Sequence, residues 1–333
     1  MQNKLLRKPE GFRRLMRRAQ IASEVTQGLT SDSTFALDIP AEVGIKLNNG
    51  CNLRCTHCFE WNEDGYHQSY GATQKRAELP ISEIRKILDF TRASDAPLYL
   101  WGGEPLMYSK FSELAQMLAE ERRWTTICTN GILIEKRMED LIKISQDLAL
   151  LISLEGLEDA NDLVRGHGTF KKVLSGIQRV MELREAGSYH GSISLSLTLN
   201  DHVVETLQDF VEFFDNLGID SIYLVFPWFV PPSVANDMDQ FANDALSVQL
   251  PIMGSASWHS FTFHLSPKKL PRLRSQMEQI MQRNWAGNVR FHPHLSLEEI
   301  ESFVLGSSKP AERKETCHEI GRASCRERVC MLV

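Results

Sequence analysis

Three thiols stand within eight residues in Cys51-Asn-Leu-Arg-Cys55-Thr-His-Cys58, at the end of an apolar run that begins at Val43. Thiolates hold iron–sulfur clusters, and a loop this short can wrap one corner of a four-iron cube, leaving one iron open to another ligand. The same trio with His57 as fourth ligand would be a zinc knuckle, although His57 and Cys58 then crowd adjacent residues onto one tetrahedral ion. Gly102-Gly103-Glu104-Pro105 closes a second apolar run. Glycines let backbone carbonyls approach a ligand closely, and Glu104 adds a carboxylate, a combination that suits an ammonium group. Thr129-Asn130-Gly131 closes a third run and by itself reads as a turn. Ser153-Leu-Glu155-Gly156 closes a fourth, with Asp162-x-x-Arg165-Gly166 behind it, and Asn200 closes a fifth. Cys128, inside the third run, reads as core.

Because each motif ends an apolar run, the runs decide how the motifs meet. The run from Val43, then Pro97–Trp101, Thr125–Thr129, Leu148–Leu154, Ser192–Leu199 and Ser221–Phe226, are strand-sized. Between them apolar residues recur at helical spacing: Ile81, Ile84, Ile87 and Leu88, then Phe111, Leu114 and Leu118, and later Phe170, Val173, Ile177 and Val180. Val203, Leu207, Phe210 and Phe214 continue the pattern, and Gly218 suits that helix's C-terminal cap. Strands alternating with amphipathic helices mean βαβ units and a parallel sheet. The predicted fold is α/β, a partial TIM-like (β/α)6 barrel of parallel strands with an N-terminal helix and a C-terminal α+β extension. In such barrels the chemistry sits on the loops after the strands, which is where every motif falls. Beyond Phe226 the polar, broken stretch Ala235–Asp244 reads as a loop, Ser260–Leu265 as a half-buried strand, and Leu270–Trp285 and Leu297–Phe303 as helices. Together they are expected to form a lid or bridge over the barrel mouth.

The chain has 333 residues, 42% hydrophobic and 24% charged, ordinary values for a globular protein. A net charge of -6 argues against nucleic acid as the partner. No run approaches the length of a membrane-spanning helix, so no membrane partner is expected. The start, dense in Lys and Arg without an apolar stretch, is not a signal peptide. The expected home is the reducing cytoplasm, where clustered cysteines bind metal or do chemistry. Arg7, Lys8, Arg13, Arg14, Arg17 and Arg18 share a predicted helix with Leu5, Phe12, Leu15 and Met16, and read as the solvated face of a docking helix.

The Cys51/Cys55/Cys58 spacing, with the ring of His57 before the last cysteine, resembles the cluster loop of radical S-adenosylmethionine (SAM) enzymes. Gly102-Gly103-Glu104 follows the second strand, as the Gly-Gly-Glu motif of that family does, and Thr129-Asn130-Gly131 resembles a stretch beside its SAM site. The resemblance covers about Glu42 to Phe226, with the motifs in the family's order. It implies a [4Fe–4S] cluster on Cys51, Cys55 and Cys58, with SAM chelating the open iron. It also implies SAM contacts from Gly102, Gly103, Glu104, Thr129, Asn130, Ser153 and Arg165, whose guanidinium would pair with the methionyl carboxylate; Asn200 is a further candidate. Glu155 departs from the family, which more often has Asp there. The implied chemistry is reductive cleavage of SAM to a 5′-deoxyadenosyl radical that abstracts hydrogen from a substrate. Arg165-Gly-His-Gly-Thr-Phe170 and Cys317-His318 resemble the branch with a cysteine-rich SPASM extension, which holds auxiliary [4Fe–4S] clusters. Many of that branch's members modify ribosomally made peptides. A peptide or protein substrate and a flavodoxin-type or reductase electron donor are therefore implied as partners.

The expected organisation is an N-terminal helical segment (1–41), a core barrel (42–230), a bridge with the start of a truncated SPASM-like region (231–318) and a non-native tail (319–333). The tail from Glu319 to Cys330 is set apart because one ordinary codon choice for it resembles a sequencing-library adapter over nearly its whole length. Cys325 and Cys330 are accordingly not expected to be ligands, whereas the competing reading places Cys317, Cys325 and Cys330 on a second cluster.

Overall fold

The structure is a computed structural model that describes residues 42–245, 256–293 and 295–305, with scattered positions between 16 and 40. Seven strands form one sheet: β1 (Val43–Lys46), β2 (Leu98–Trp101), β3 (Thr125–Thr129), β4 (Leu148–Ser153), β5 (Ser192–Thr198), β6 (Ser221–Val225) and β7 (Asn288–His292). All pairs are parallel and follow chain order, so β1 and β7 are the two edges of an open barrel. The crossovers carry α1 (Ile81–Phe90), α2 (Phe111–Glu121), α3 (Met138–Ile144), α4 (Glu158–Arg165), α5 (Thr169–Glu185) and α6 (Leu207–Leu217). α6 ends on Gly218 in the left-handed region (φ 90°), as its C-terminal glycine predicts.

Alternation along the strands sorts the side chains. One face presents Ile45, Leu98, Leu100, Ile127, Leu150, Ile152, Leu195 and Leu224, all buried, to the helices, where Ile84, Leu88, Leu114, Val173, Ile177 and Phe210 complete the core. The opposite, concave face carries Lys46, Tyr99, Trp101, Cys128, Ser153, Ser194, Ser196 and Tyr223. Burial of the first set drives the fold. The polar concave face is what that arrangement leaves over for chemistry.

Two expectations for the C-terminal part are corrected. The Asn/Asp-rich stretch is a helix, α7 (Pro232–Ala245), whose buried side is made of Ala235, Asp239 and Ala242. The Asp239 carboxylate accepts from Trp258 Nε1 at 2.8 Å and lies 2.9 Å from His259 Nε2, so a hydrogen-bonded acid replaces the apolar stripe. Residues 261–265 alternate in burial but join no ladder; the seventh strand is instead β7, beyond α8 (Leu270–Gln282) and before α9 (Leu297–Val304). The described positions between 16 and 31 are helical. Arg7, Lys8, Arg13, Arg14, Arg17 and Arg18, residues 246–255, and the tail with Cys317, Cys325 and Cys330 lie outside the described residues.

Aromatic contacts tie the C-terminal part to the cysteine loop. Phe59, just past the cysteine loop, stacks on Phe261 (ring centroids 4.5 Å apart) and leans on Trp228 (5.7 Å), while Val230 N–H donates to Phe261 O. These contacts join the segment after β6 to the loop after β1, across the gap between the sheet's edges.

Candidate active site

The cysteine loop leaves β1 and is fixed from several sides. Gly103 N–H donates to Asn48 O and Glu104 N–H to Gly50 O, both at 2.8 Å, extending the β1–β2 pairing past the strand ends. A Cβ on Gly103 would stand 2.3 Å from both Asn49 O and Gly50 O, so the glycine is what allows this approach. Thr56 N–H donates to Val164 O of α4 at 2.9 Å. Arg54 donates to Cys51 O and stacks over the Trp61 ring at 4.1 Å, and Trp61 Nε1 donates to Asn49 O. Cys55 is buried and Cys51 and Cys58 are half-buried; all three are free thiols.

The residues predicted at the ends of β2 to β5 gather beside this loop, in two roles. Glu104 is buried at the end of β2, and its carboxylate accepts from Leu106 N–H (3.0 Å), Thr129 Oγ1 (2.6 Å) and Asn130 N–H (2.8 Å). It thus braces the end of β3. Burial raises its carboxyl pKa despite these three donors. Asn130 Nδ2 donates to Asn52 Oδ1 at 2.8 Å and lies 3.9 Å from Cys51 Sγ, which ties β3 to the loop. Asn200 is also spent internally: Nδ2 donates to Thr198 O, and Oδ1 accepts from His202 and Val203 N–H. Ser153 ends β4 on the concave face, hydrogen-bonded to Cys128. Arg165 ends α4, buried, and its Nε finds no hydrogen-bond partner among the described residues. A cavity of about 480 Å³ lies between the loop and α4, with Asn52, Ile132, Arg165 and Thr169 in its wall.

Two groups escaped the sequence reading. Glu155 is fully buried after β4; Oε1 accepts from Arg165 Nη2 at 2.6 Å and stands 3.3 Å from His57 Nε2, and Oε2 accepts from Thr198 N–H at 2.7 Å. Burial alone would raise its pKa, but the facing His57 and Arg165 hold it below the usual carboxylate range. Its place in the strand-end motif Ser153-Leu-Glu155-Gly156 and its departure from Asp are legible in the sequence, but not its pairing with His57 and Arg165. The second group anchors the loop after the cysteines: Lys46 Nζ, on the concave face, donates to Glu60 Oε1 at 2.5 Å and to Tyr66 Oη at 3.2 Å, beside His67 Nε2 at 3.5 Å.

His67 supplies a pH prediction. It is fully buried, its Nδ1 has no partner among the described residues, and burial pushes its pKa from 6.5 down to about 4. The unfolded chain therefore binds a proton between pH 6.5 and about 4 that the folded chain refuses, so stability present above pH 6.5 is lost as pH falls through that window. Urea unfolding of the metal-free chain is expected to show a His67 share of about 3 kcal/mol lost across the window. His67→Phe should flatten that part of the profile; an unchanged slope would count against the assignment.

The residue set fits an iron–sulfur cluster. Burial pushes the thiols of Cys51 to about 12 and Cys55 to about 11, and raises Cys58, so three thiolates here need compensating positive charge such as bound iron supplies. Among the described residues no three His, Cys, Asp or Glu converge on a single ion, as a zinc knuckle would require. Thiolates that each bind a different iron need not converge. The unpartnered, buried Arg165 Nε suits a carboxylate ligand alongside.

Open parallel barrel, cysteine trio and glycine-supported strand end lie together at one end of the sheet, the arrangement of an α/β barrel that binds its cofactor on the loops after its strands. The sequence profile of the radical SAM superfamily matches residues 45–214, and the chain belongs to that superfamily, whose cofactors are a [4Fe–4S] cluster and SAM. It is 30% identical over 150 residues to the Fe-coproporphyrin III synthase of Methanosarcina barkeri (44% of this chain, 36% of that protein). It is 28% identical over 184 residues to the mycofactocin maturase MftC of Mycobacterium ulcerans (55% and 46%). Each match covers less than half of the relative's length. The crystal structure of Streptococcus suis SuiB bound to S-adenosylmethionine superposes with a TM-score of 0.56 at 19% identity, over 84% of this chain and 59% of that one, a likeness of fold. No helix among the described residues is long and apolar enough to cross a membrane.

Proposed function

We propose that this chain is a radical SAM enzyme of the SPASM-type branch that modifies a side chain of a peptide or protein. The observation that carries the reading is the convergence of the Cys51/Cys55/Cys58 loop with the ends of β2 to β4 and with Arg165, whose buried Nε has no partner among the described residues. Cys51, Cys55 and Cys58 would hold the [4Fe–4S] cluster. Arg165 would take the methionyl carboxylate of SAM, and the carbonyls of Gly102 and Gly103 its ammonium. Ser153 on the concave face is placed for further contacts, while Glu104, Thr129, Asn130 and Asn200 brace the strand ends that present these groups. The loaded site supplies reductive cleavage of SAM to methionine and a 5′-deoxyadenosyl radical for hydrogen abstraction. The chain's own residues bind, orient and exclude water, with the aromatic contacts of Phe59, Trp228 and Phe261 closing the rim.

A peptide substrate is supported by the similarity to MftC, a maturase, and by the open sheet edge, through which a side chain on a larger molecule can reach the concave face. A flavodoxin-type or reductase donor and a reducing, cytoplasmic setting agree with four free thiols among the described residues. The core would run from 42 and, since β7 (Asn288–His292) completes its sheet, take in part of the 231–318 stretch expected to bridge to an extension with auxiliary clusters.

The deciding experiment is anaerobic reconstitution with iron and sulfide, followed by SAM and dithionite. Bound iron with 5′-deoxyadenosine is the expected result. Iron without that product would leave a non-catalytic iron–sulfur protein, and neither would overturn the reading altogether.

A further inference from the structure

Glu155 touches both the cysteine loop and the end of α4. Its Oε2 is pinned to β5 by Thr198 N–H at 2.7 Å. Its Oε1 is shared, accepting from Arg165 Nη2 at 2.6 Å and lying 3.3 Å from His57 Nε2. His57 immediately precedes Cys58, and its other neighbour, Thr56, donates its N–H to Val164 O, one residue before Arg165. Loop and helix end are thus joined twice, once through backbone and once through a carboxylate shared by an imidazole and a guanidinium. Among the described residues no hydrogen bond or ion pair joins His57 to Arg165 directly; Glu155 is the side chain that both contact.

Geometry makes that sharing consequential. A carboxylate pinned at one oxygen can swing only about that anchor, so a shift of the loop at His57 changes where Oε1 meets Arg165. The guanidinium is a rigid planar fork, and moving one arm re-aims the others. Its Nε is buried and has no hydrogen-bond partner among the described residues, and Arg165 lines the cavity between α4 and the loop.

We propose that Glu155 is a positioning residue that couples the cysteine loop to the carboxylate-binding site: through its shared Oε1 it holds the Arg165 fork in binding orientation only while His57, and with it the loop, is in place. The SAM site is then fully formed only when the loop is ordered. This rests on the SAM reading of Arg165 given above.

The test is a double-mutant cycle on SAM affinity, measured by equilibrium dialysis on anaerobically reconstituted protein, with iron content assayed in parallel. His57→Phe keeps a ring against Phe263, whose centroid lies 5.6 Å away, while deleting the nitrogen that faces Glu155. Arg165→Lys and Glu155→Gln are each expected to weaken SAM binding about tenfold with iron content unchanged, the usual scale for removing an outer-shell partner. His57→Phe should weaken binding in the wild-type background and have no further effect in the Arg165→Lys or Glu155→Gln backgrounds. Should Glu155→Gln fail to fold, Glu155→Asp keeps the charge but is one methylene too short to reach all three partners. It should bind SAM more weakly than wild type and blunt the His57→Phe effect in the same way. Losses that simply multiply in every background, or wild-type affinity in the Glu155 variants, overturn the coupling alone. Wild-type protein that binds iron but no SAM overturns the functional reading, and the coupling with it.

Discussion

Cys55→Ala is expected to leave the fold standing while removing both the bound iron and the 5′-deoxyadenosine. Cys55 is the deepest of the three cysteines, and burial is the main reason its thiol is pushed up to about 11, with the nearby Arg165 charge opposing the rise. In the metal-free chain it is therefore a neutral buried group, and trimming it to alanine costs about 1–2 kcal/mol. As a ligand it has no substitute: two remaining thiols cannot cap three irons, and no other described cysteine joins the loop. Product formation should fall at least about 100-fold, beyond the range seen when an outer-shell group is lost. Cys128→Ala is the matched control, since Cys128 is hydrogen-bonded to Tyr99 and Ser153 on the concave face. It should retain iron. Product formation that survives Cys55→Ala, measured against that control, would refute the cluster assignment.

Gly103→Ala is expected to act on both stability and iron loading, without touching a ligand. The added methyl would meet Asn49 O and Gly50 O at 2.3 Å, and both are backbone atoms that cannot swing aside. Relief requires parting the end of β2 from the residues that lead into Cys51, which breaks the bonds from Gly103 N–H and Glu104 N–H. Glu104 would carry its three internal donors with it, including Asn130 N–H, and Asn130 is bonded to Asn52 within the loop. Overpacking of this kind costs about 2–4 kcal/mol, readable as a lower urea midpoint, and the displaced loop should bind markedly less iron. Gly44→Ala is the contrast, because nothing lies within 4 Å of the added Cβ. Its stability should move by less than about 0.5 kcal/mol. Equal midpoints for the two variants would show that the close approach at Gly103 is no constraint.

What the sequence discloses follows from what repeats. β1 to β6 are legible because apolar residues dominate each run, and α1, α2, α5 and α6 because Leu, Ile, Val and Phe recur at helical spacing. α7 escapes because its buried side is Ala235, Asp239 and Ala242, where small size and a hydrogen-bonded acid stand in for hydrophobicity. β7 escapes because Asn288–His292 pairs with β6 alone and carries Arg290 and His292 at the barrel's edge. The alternation in 261–265 is real as burial, yet its backbone finds no strand to pair with. At the site, the three cysteines and the glycine pair are legible because their meaning lies in spacing along the chain. The His57–Glu155–Arg165 and Lys46–Glu60–Tyr66 groups are not, because a charge buried by a partner far away in sequence leaves no local trace. For the same reason the hydrogen bonds that the Glu104 carboxylate accepts from Thr129 and Asn130 leave no trace in the sequence.

A sheet whose first and last strands do not meet has one mechanical freedom that a closed barrel lacks. Closure ties strand tilt and diameter to the number of strands and their stagger; with β1 and β7 unpaired, the curvature of this sheet is set from outside the hydrogen-bond ladder. The molecule is a split ring, and Phe59 against Phe261 and Trp228 is its buckle. The buckle's near half grows from the loop that carries the thiols. Whatever parts those rings to widen the ring for a bulky guest must therefore pull on the same short stretch of chain that holds the metal ligands.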